Sequence, residues 1–187
     1  QGTSQYQIAD NSTSAIYQGD LCMTGGYNSD QTDANSVAVA VGYISCSSVT
    51  ENILNFGVFN GCFYIDPTTA KPTWKNYYPG AVNITTGTID AYCYDNPQQL
   101  YEVQASGSLA QTDMGNLIDT NTYVAGSTIN GHSKEELASA VTGSGATAQW
   151  RLIRGSADPA NNDKSAANSN WVVRLNESIY YNGAVLT

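Results

Sequence analysis

Basic residues are scarce in this chain: seven Lys and Arg stand against sixteen Asp and Glu, for a formal net charge of −9. The first of the seven is Lys71, so Asp10, Asp20, Asp30, Asp33, Glu51 and Asp66 all precede any cation. Phosphate binding rests on clustered Lys and Arg, which excludes nucleic acid as an expected partner, and an acidic surface also repels anionic membranes. No apolar run approaches the roughly 20 residues of a membrane-crossing helix, so no membrane partner is expected either. The N-terminus lacks the basic start and apolar stretch of a secretory signal. It opens on Gln1, which points to processing or to a numbering that begins inside a longer precursor.

Histidine and cysteine are almost as sparse. His132 is the only histidine, so a multi-histidine metal site is excluded, and a Ser-His-Asp or Cys-His nucleophile would have to use this one residue. Flanked by Gly131 and Ser133, it reads as a surface-turn residue. The glycine-rich dinucleotide and phosphate loops and the H-E-x-x-H helix are missing, so no cofactor, no metal and no catalytic group is expected. Cys22, Cys46, Cys62 and Cys93 show no CxxC spacing and are too few for a disulfide framework. Cys46, Cys62 and Cys93 lie in strand-like runs, which favours buried thiols packing as small apolar groups, with one or two disulfides as the alternative. The sequons at Asn11, Asn83 and Asn176 carry little weight in a chain rich in Asn, Ser and Thr.

Charged residues make up only 12% of the chain, about half the usual share of roughly 25%. Gly, Tyr, Ser, Thr and Asn take their place, a mixture that disfavours helical bundles and favours many short strands joined by turns. The expected fold is all-β: a single β-barrel or β-sandwich over 15–187, with long loops and an extended N-terminal arm over 1–14. The arm is polar, with lone anchors Tyr6 and Ile8 that need a surface supplied by a partner. Residues 36–46 (SVAVAVGYISC) read as a strand buried on both faces. Phe56 to Ile65 is a second apolar run, broken at Asn60-Gly61 by a tight turn or a bulge. In 89–94, Ile89, Ala91 and Cys93 fall on one face and Asp90, Tyr92 and Tyr94 on the other, the period of a strand. This strand is expected to pair with the alternating run after Asn96-Pro97, beginning at Leu100. Ser133 and Glu136 form a capping-box pattern that predicts a short helix through Leu137 and Val141. Residues 147–154 and 171–175 read as late strands, separated by a projecting polar loop.

Two features invite chemistry. Asp90, Asp95 and Glu102 fall on the expected strand pair and are the best candidates for a carboxylate-pair glycoside hydrolase. The segment 66–80, bounded by Pro67, Pro72 and Pro79, reads mostly as loop and carries Trp74, Tyr77 and Tyr78. Those rings either stack on sugars or anchor a protein partner, or fold inward and plug one end of a barrel.

The order GVFNGCFYIDPTTAKPTWKNYYPG, AYCYDNPQQLYEVQASGSLAQTDMGNLID, QWRLIRGSADP and VVRLNESIYY resembles small head proteins of tailed bacteriophages, marine and cyanobacterial ones in particular. The likeness runs from about Ile16 to Tyr181, and departs at 24–35 and at Ser133 to Glu136. It is a linear match of blocks and contains no catalytic signature. It implies a non-enzymatic, β-rich virion structural protein that decorates or cements the outer surface of an icosahedral capsid. It also implies the major capsid protein as partner, self-association as a homotrimer, and synthesis in the host cytoplasm, where thiols stay reduced. Tyr6, Ile8, Trp74, Tyr77 and Tyr78 are the expected partner contacts. A carbohydrate-binding or adhesive module presenting Tyr and Trp is the rival reading, and the glycoside hydrolase the third.

Overall fold

The computed structural model describes residues 2–10, 12–24, 44–46, 55–142, 148–161, 163–178 and 180. The fold is all-β, with ten strands and two short 3-10 turns among these residues, and its antiparallel sheets are curled into half-barrel form. The contacts divide it into two compact units where one domain was expected.

The first unit comprises 1–47, 56–95 and 124–134. Its strands are β1 (Ser4–Ile8), β2 (Leu21–Thr24), β3 (Ile44–Cys46), β4 (Asn55–Ile65, whose first residue falls in the other unit), β5 (Pro72–Lys75) and β6 (Ile89–Tyr94). They form a six-stranded sheet in the order β1-β6-β4-β2-β3, with β5 also paired to β4. The curl brings β1 into contact with β3. The alternation read in 89–94 is what the strand uses: Ile89, Ala91 and Cys93 are buried and their neighbours face outward. β4 runs through Asn60-Gly61 without turning back, and the break there is a shift of register against β6 between Phe59 and Gly61, a bulge.

The expected free arm is part of this sheet. Ser4–Ile8 pairs antiparallel with β6, Ser4 opposite Cys93 and Ile8 opposite Ile89, and Ile8 is buried within its own unit. A polar strand suffices here because only one of its faces meets the core; the other carries Gln5 and Gln7. The segment read mostly as loop also contains a strand, β5, where Pro72 takes the first position, which tolerates the missing N–H. Of 36–46, only the last three residues lie among those described.

The second unit comprises 48–55, 96–123 and 135–187. Here β7 (Leu100–Gln104), β8 (Leu117–Ile118), β9 (Trp150–Gly155) and β10 (Asn170–Leu175) form a sheet in the order β7-β10-β9-β8. β7 therefore pairs with β10, not with β6 as expected. Strands β9 and β10 stand where the late strands were read. Trp150, Leu152, Trp171, Val173 and Leu175 fill the inner face with Leu109, Ile118 and Leu137. Each such side chain contributes about 1.5–3 kcal/mol relative to an exposed one. Both indoles are satisfied, Trp150 Nε1 donating to Thr120 Oγ1 at 2.9 Å and Trp171 Nε1 to Ser169 Oγ at 3.0 Å. The expected helix after Ser133 does not form: Leu137 is fully buried and bridges Ala105 and Thr120, so core packing overrides the local capping signal.

Candidate functional site: an aromatic sheet face

Strands β4, β5 and β6 present an outward face rich in rings. Phe63 on β4 lies directly opposite Trp74 on β5 and, on its other side, Asp90 on β6. Gly61 lies opposite Tyr92, and Val58 opposite Tyr94. Residues paired in this way share a face. Trp74 is 52% exposed, Phe63 37% and Tyr94 36%. Gly61 makes the arrangement possible: a Cβ there would come within 2.6 Å of Trp74 Cζ2, so only glycine lets the indole lie across β4 toward β6. The indole then meets Tyr92, their centroids 5.3 Å apart and their planes tilted by 49°. Asp90, at the margin, accepts the Thr88 hydroxyl at 2.8 Å.

Of the five residues expected to touch a partner, only Trp74 belongs to this face. Tyr78 is fully buried; its hydroxyl donates to the Ser12 carbonyl at 3.0 Å and accepts the Val82 N–H at 3.2 Å, and burial raises its pKa above the usual tyrosine value. It therefore folds inward, among the core residues of the first unit. Tyr77 stacks on Tyr17, centroids 5.7 Å apart and planes 7° from parallel, with Lys75 Nζ 5.7 Å from its own ring centroid. Tyr6 is half-buried beside Phe56 and donates to Asp95 Oδ2 at 2.7 Å, and Ile8 is core. These two therefore serve their own sheet, because β1 is a strand of it.

The three acids singled out have separate surroundings. Asp90 and Asp95 lie in the first unit, bonded to Thr88 and Tyr6. Glu102 lies on β7 in the second, where its Oε1 accepts the Ser156 hydroxyl at 2.8 Å and the Asn170 amide at 3.1 Å. His132 is exposed, as read, but it follows the turn at 128–130 and bridges Gln18. Among the described residues, no group of three or more His, Cys, Asp or Glu could hold a metal ion. No helix there is long and apolar enough to cross a membrane.

Sequence reasoning had placed Tyr92 and Tyr94 on an outward face but missed their union with Phe63 and Trp74. The signal available was Gly61, a residue without a side chain opposite two aromatic-rich strands. Compared with protein-family models, curated proteins and solved structures, the chain finds no match.

Proposed function

We propose that this chain is a non-enzymatic structural protein of a tailed-phage virion, which binds the major capsid protein and stabilises the outer surface of the shell. The observation that carries the reading is the aromatic face. Its rings are held on three paired strands and so lose little entropy when covered, and Trp and Tyr are the residues that dominate protein interfaces. The block resemblance from Ile16 to Tyr181 supplies the partner. An acidic surface keeps such a protein soluble while free and away from packaged DNA.

One observation favours a second reading, a carbohydrate-binding module. Trp74 and Tyr92 lie side by side with the Asp90 carboxylate at their margin, a combination able to stack on a sugar ring and accept from its hydroxyls. One experiment separates the two. Purified protein is mixed with phage heads stripped of decoration and run on a density gradient, and in parallel passed over neutral polysaccharide matrices. The capsid reading expects saturable co-sedimentation with heads and no retention on the matrices; retention without co-sedimentation overturns it in favour of the second.

A further inference from the structure

One row of the aromatic face carries a charge. Gln7 on β1, Asp90 on β6, Phe63 on β4 and Trp74 on β5 stand opposite one another in turn. Neighbouring strands lie about 4.8 Å apart, so the carboxylate and the indole flank the phenyl ring, one strand away on either side. The Thr88 hydroxyl holds Asp90 Oδ1 at 2.8 Å. Among the described residues no other group bonds that carboxylate and no cation pairs with it.

Nor does any cation among the described residues serve the rings. Of the positions that share this face on β1, β4, β5 and β6, Asp90 alone is charged. Lys75 follows Trp74 but stands opposite the buried Cys62, so it lies on the reverse face, with its Nζ 5.7 Å from the Tyr77 ring centroid. The first unit holds seven aspartates and three lysines, with no arginine or glutamate. The polar edge of the indole is open too. Trp150 and Trp171 each donate to a hydroxyl, whereas the half-exposed Trp74 donates its indole N–H to no group among the described residues.

We infer that the group received by this face is an arginine of the partner protein, its guanidinium laid on Phe63 and Trp74 and paired with Asp90. Ring faces attract a cation through their quadrupole, and a carboxylate beside them adds a full charge. A guanidinium fits better than an ammonium because it is planar, stacks on aromatic faces, is more weakly hydrated and presents a fork of donors to a carboxylate. The backbone carbonyls beside such an arginine can accept the Trp74 indole N–H. Charge complementarity thus selects the occupant: a basic, arginine-bearing segment, not an acidic or purely apolar one. The inference rests on the reading of this face as the capsid contact, and names the side chain that makes it.

The test is a titration of the full chain, followed by its indole N–H signals in NMR spectra; Trp74→Ala identifies the Trp74 signal by deleting it. The probes are acetyl-arginine amide, acetyl-lysine amide and methyl glucoside. The Trp74 signal is expected to shift saturably with the arginine probe and severalfold more weakly with the lysine probe. Asp90→Asn, checked for folding by circular dichroism, should weaken arginine binding roughly two- to fivefold. Added salt should weaken it in the unaltered chain, a second measurement that needs no variant. No shift with the arginine probe, an equal response to the lysine probe, or indifference to both Asp90→Asn and salt overturns the inference. A shift with the glucoside alone overturns it in favour of the carbohydrate reading. Stripped heads separate this inference from the reading it rests on. If Trp74 takes the arginine probe as described and the chain does not bind heads, the capsid reading fails and the arginine site stands. If heads bind equally well to the wild type, Asp90→Asn and Trp74→Ala, the capsid reading stands and this inference fails.

Discussion

The sulfur atoms of Cys22 and Cys93 lie 3.7 Å apart in the core of the first unit, the Cys93 thiol donating to that of Cys22. Cys22 in turn points its thiol toward the Asp20 carbonyl at 3.9 Å, and its backbone stands opposite Cys46 in the pairing of β2 with β3. Cys22, Cys62 and Cys93 are all present as buried thiols. Titration of the denatured, unreduced protein should therefore detect at least these three groups. A count of zero would mean an oxidised, secreted origin and would strengthen the carbohydrate-binding reading.

Burial raises the pKa of Cys62 to about 12, against a smaller opposing pull from Lys75, and its sulfur is directed at the Tyr77 carbonyl, 3.6 Å away. Since the thiolate is the nucleophile, Cys62 should remain unmodified when the folded protein is treated with iodoacetamide at pH 8. Peptide mapping that finds Cys62 alkylated first would contradict this. Replacing Cys93 by Ser seats a more polar hydroxyl where a sulfur is the acceptor, and should cost about 1–3 kcal/mol, more than Cys93→Ala.

Asp20 sets an unusual pH dependence. It is fully buried; Oδ2 accepts the Tyr17 N–H at 2.7 Å, while Oδ1 has no hydrogen-bond partner. Desolvation raises its pKa above 3.8, outweighing the bonds from Ser133 and Tyr17. A carboxyl whose folded pKa is raised binds its proton more tightly in the folded state. Its stabilising share is thus complete below the unfolded value and lost as pH rises through the folded one. The exposed Asp66 is depressed by the Thr68 and Thr69 N–H groups, and Asp163 by Ser165, so their contributions run the other way and fade only as pH falls below the ordinary carboxylate range. Urea midpoints should increase as pH falls toward the ordinary carboxylate range, and Asp20→Asn, which keeps the acceptor and removes the charge, should flatten that trend. A midpoint that falls over this interval contradicts the assignment.

Tyr78 and Trp74 should separate core from surface within one short segment. Tyr78→Ala empties a fully buried site and should cost about 3–5 kcal/mol, while Tyr78→Phe leaves the Val82 N–H without its acceptor, for about 1–3 kcal/mol. Trp74→Ala, at a half-exposed position, should cost much less and act mainly on association. Equal destabilisation by Tyr78→Ala and Trp74→Ala would mean that the two rings share one environment.

How far the fold could be read from sequence depended on how local its causes are. The strand at 89–94 was legible because its burial follows a strict period of two that no neighbour disturbs. Pairing was not: β7 goes to β10 because Val103 and Trp171 lie opposite each other there, a relation set by residues far apart in sequence. Ser133 to Glu136 carried a local helix signal, yet burying Leu137 between Ala105 and Thr120 is worth more than one capped turn. Residues 1–14 looked incapable of making a core, which is true of them alone; Ile8 and Tyr6 complete one supplied by β6 and Phe56. Truncation before residue 10 should therefore lower the melting temperature by many degrees, where an independent arm would leave it unchanged. At the candidate site the rings themselves were visible, but only the pairing of β4 with β5 and β6 could sort Trp74 from Tyr77 and Tyr78.

The most direct test of the proposed capsid role is an image reconstruction of phage particles that carry this protein. Density for this fold is expected on the outside of the shell, in contact with the major capsid protein, with the aromatic face of Phe63, Trp74 and Tyr92 covered by a protein neighbour. A reconstruction in which no density on the outer capsid surface fits the two units, or in which that face is open to solvent in every copy, would contradict it.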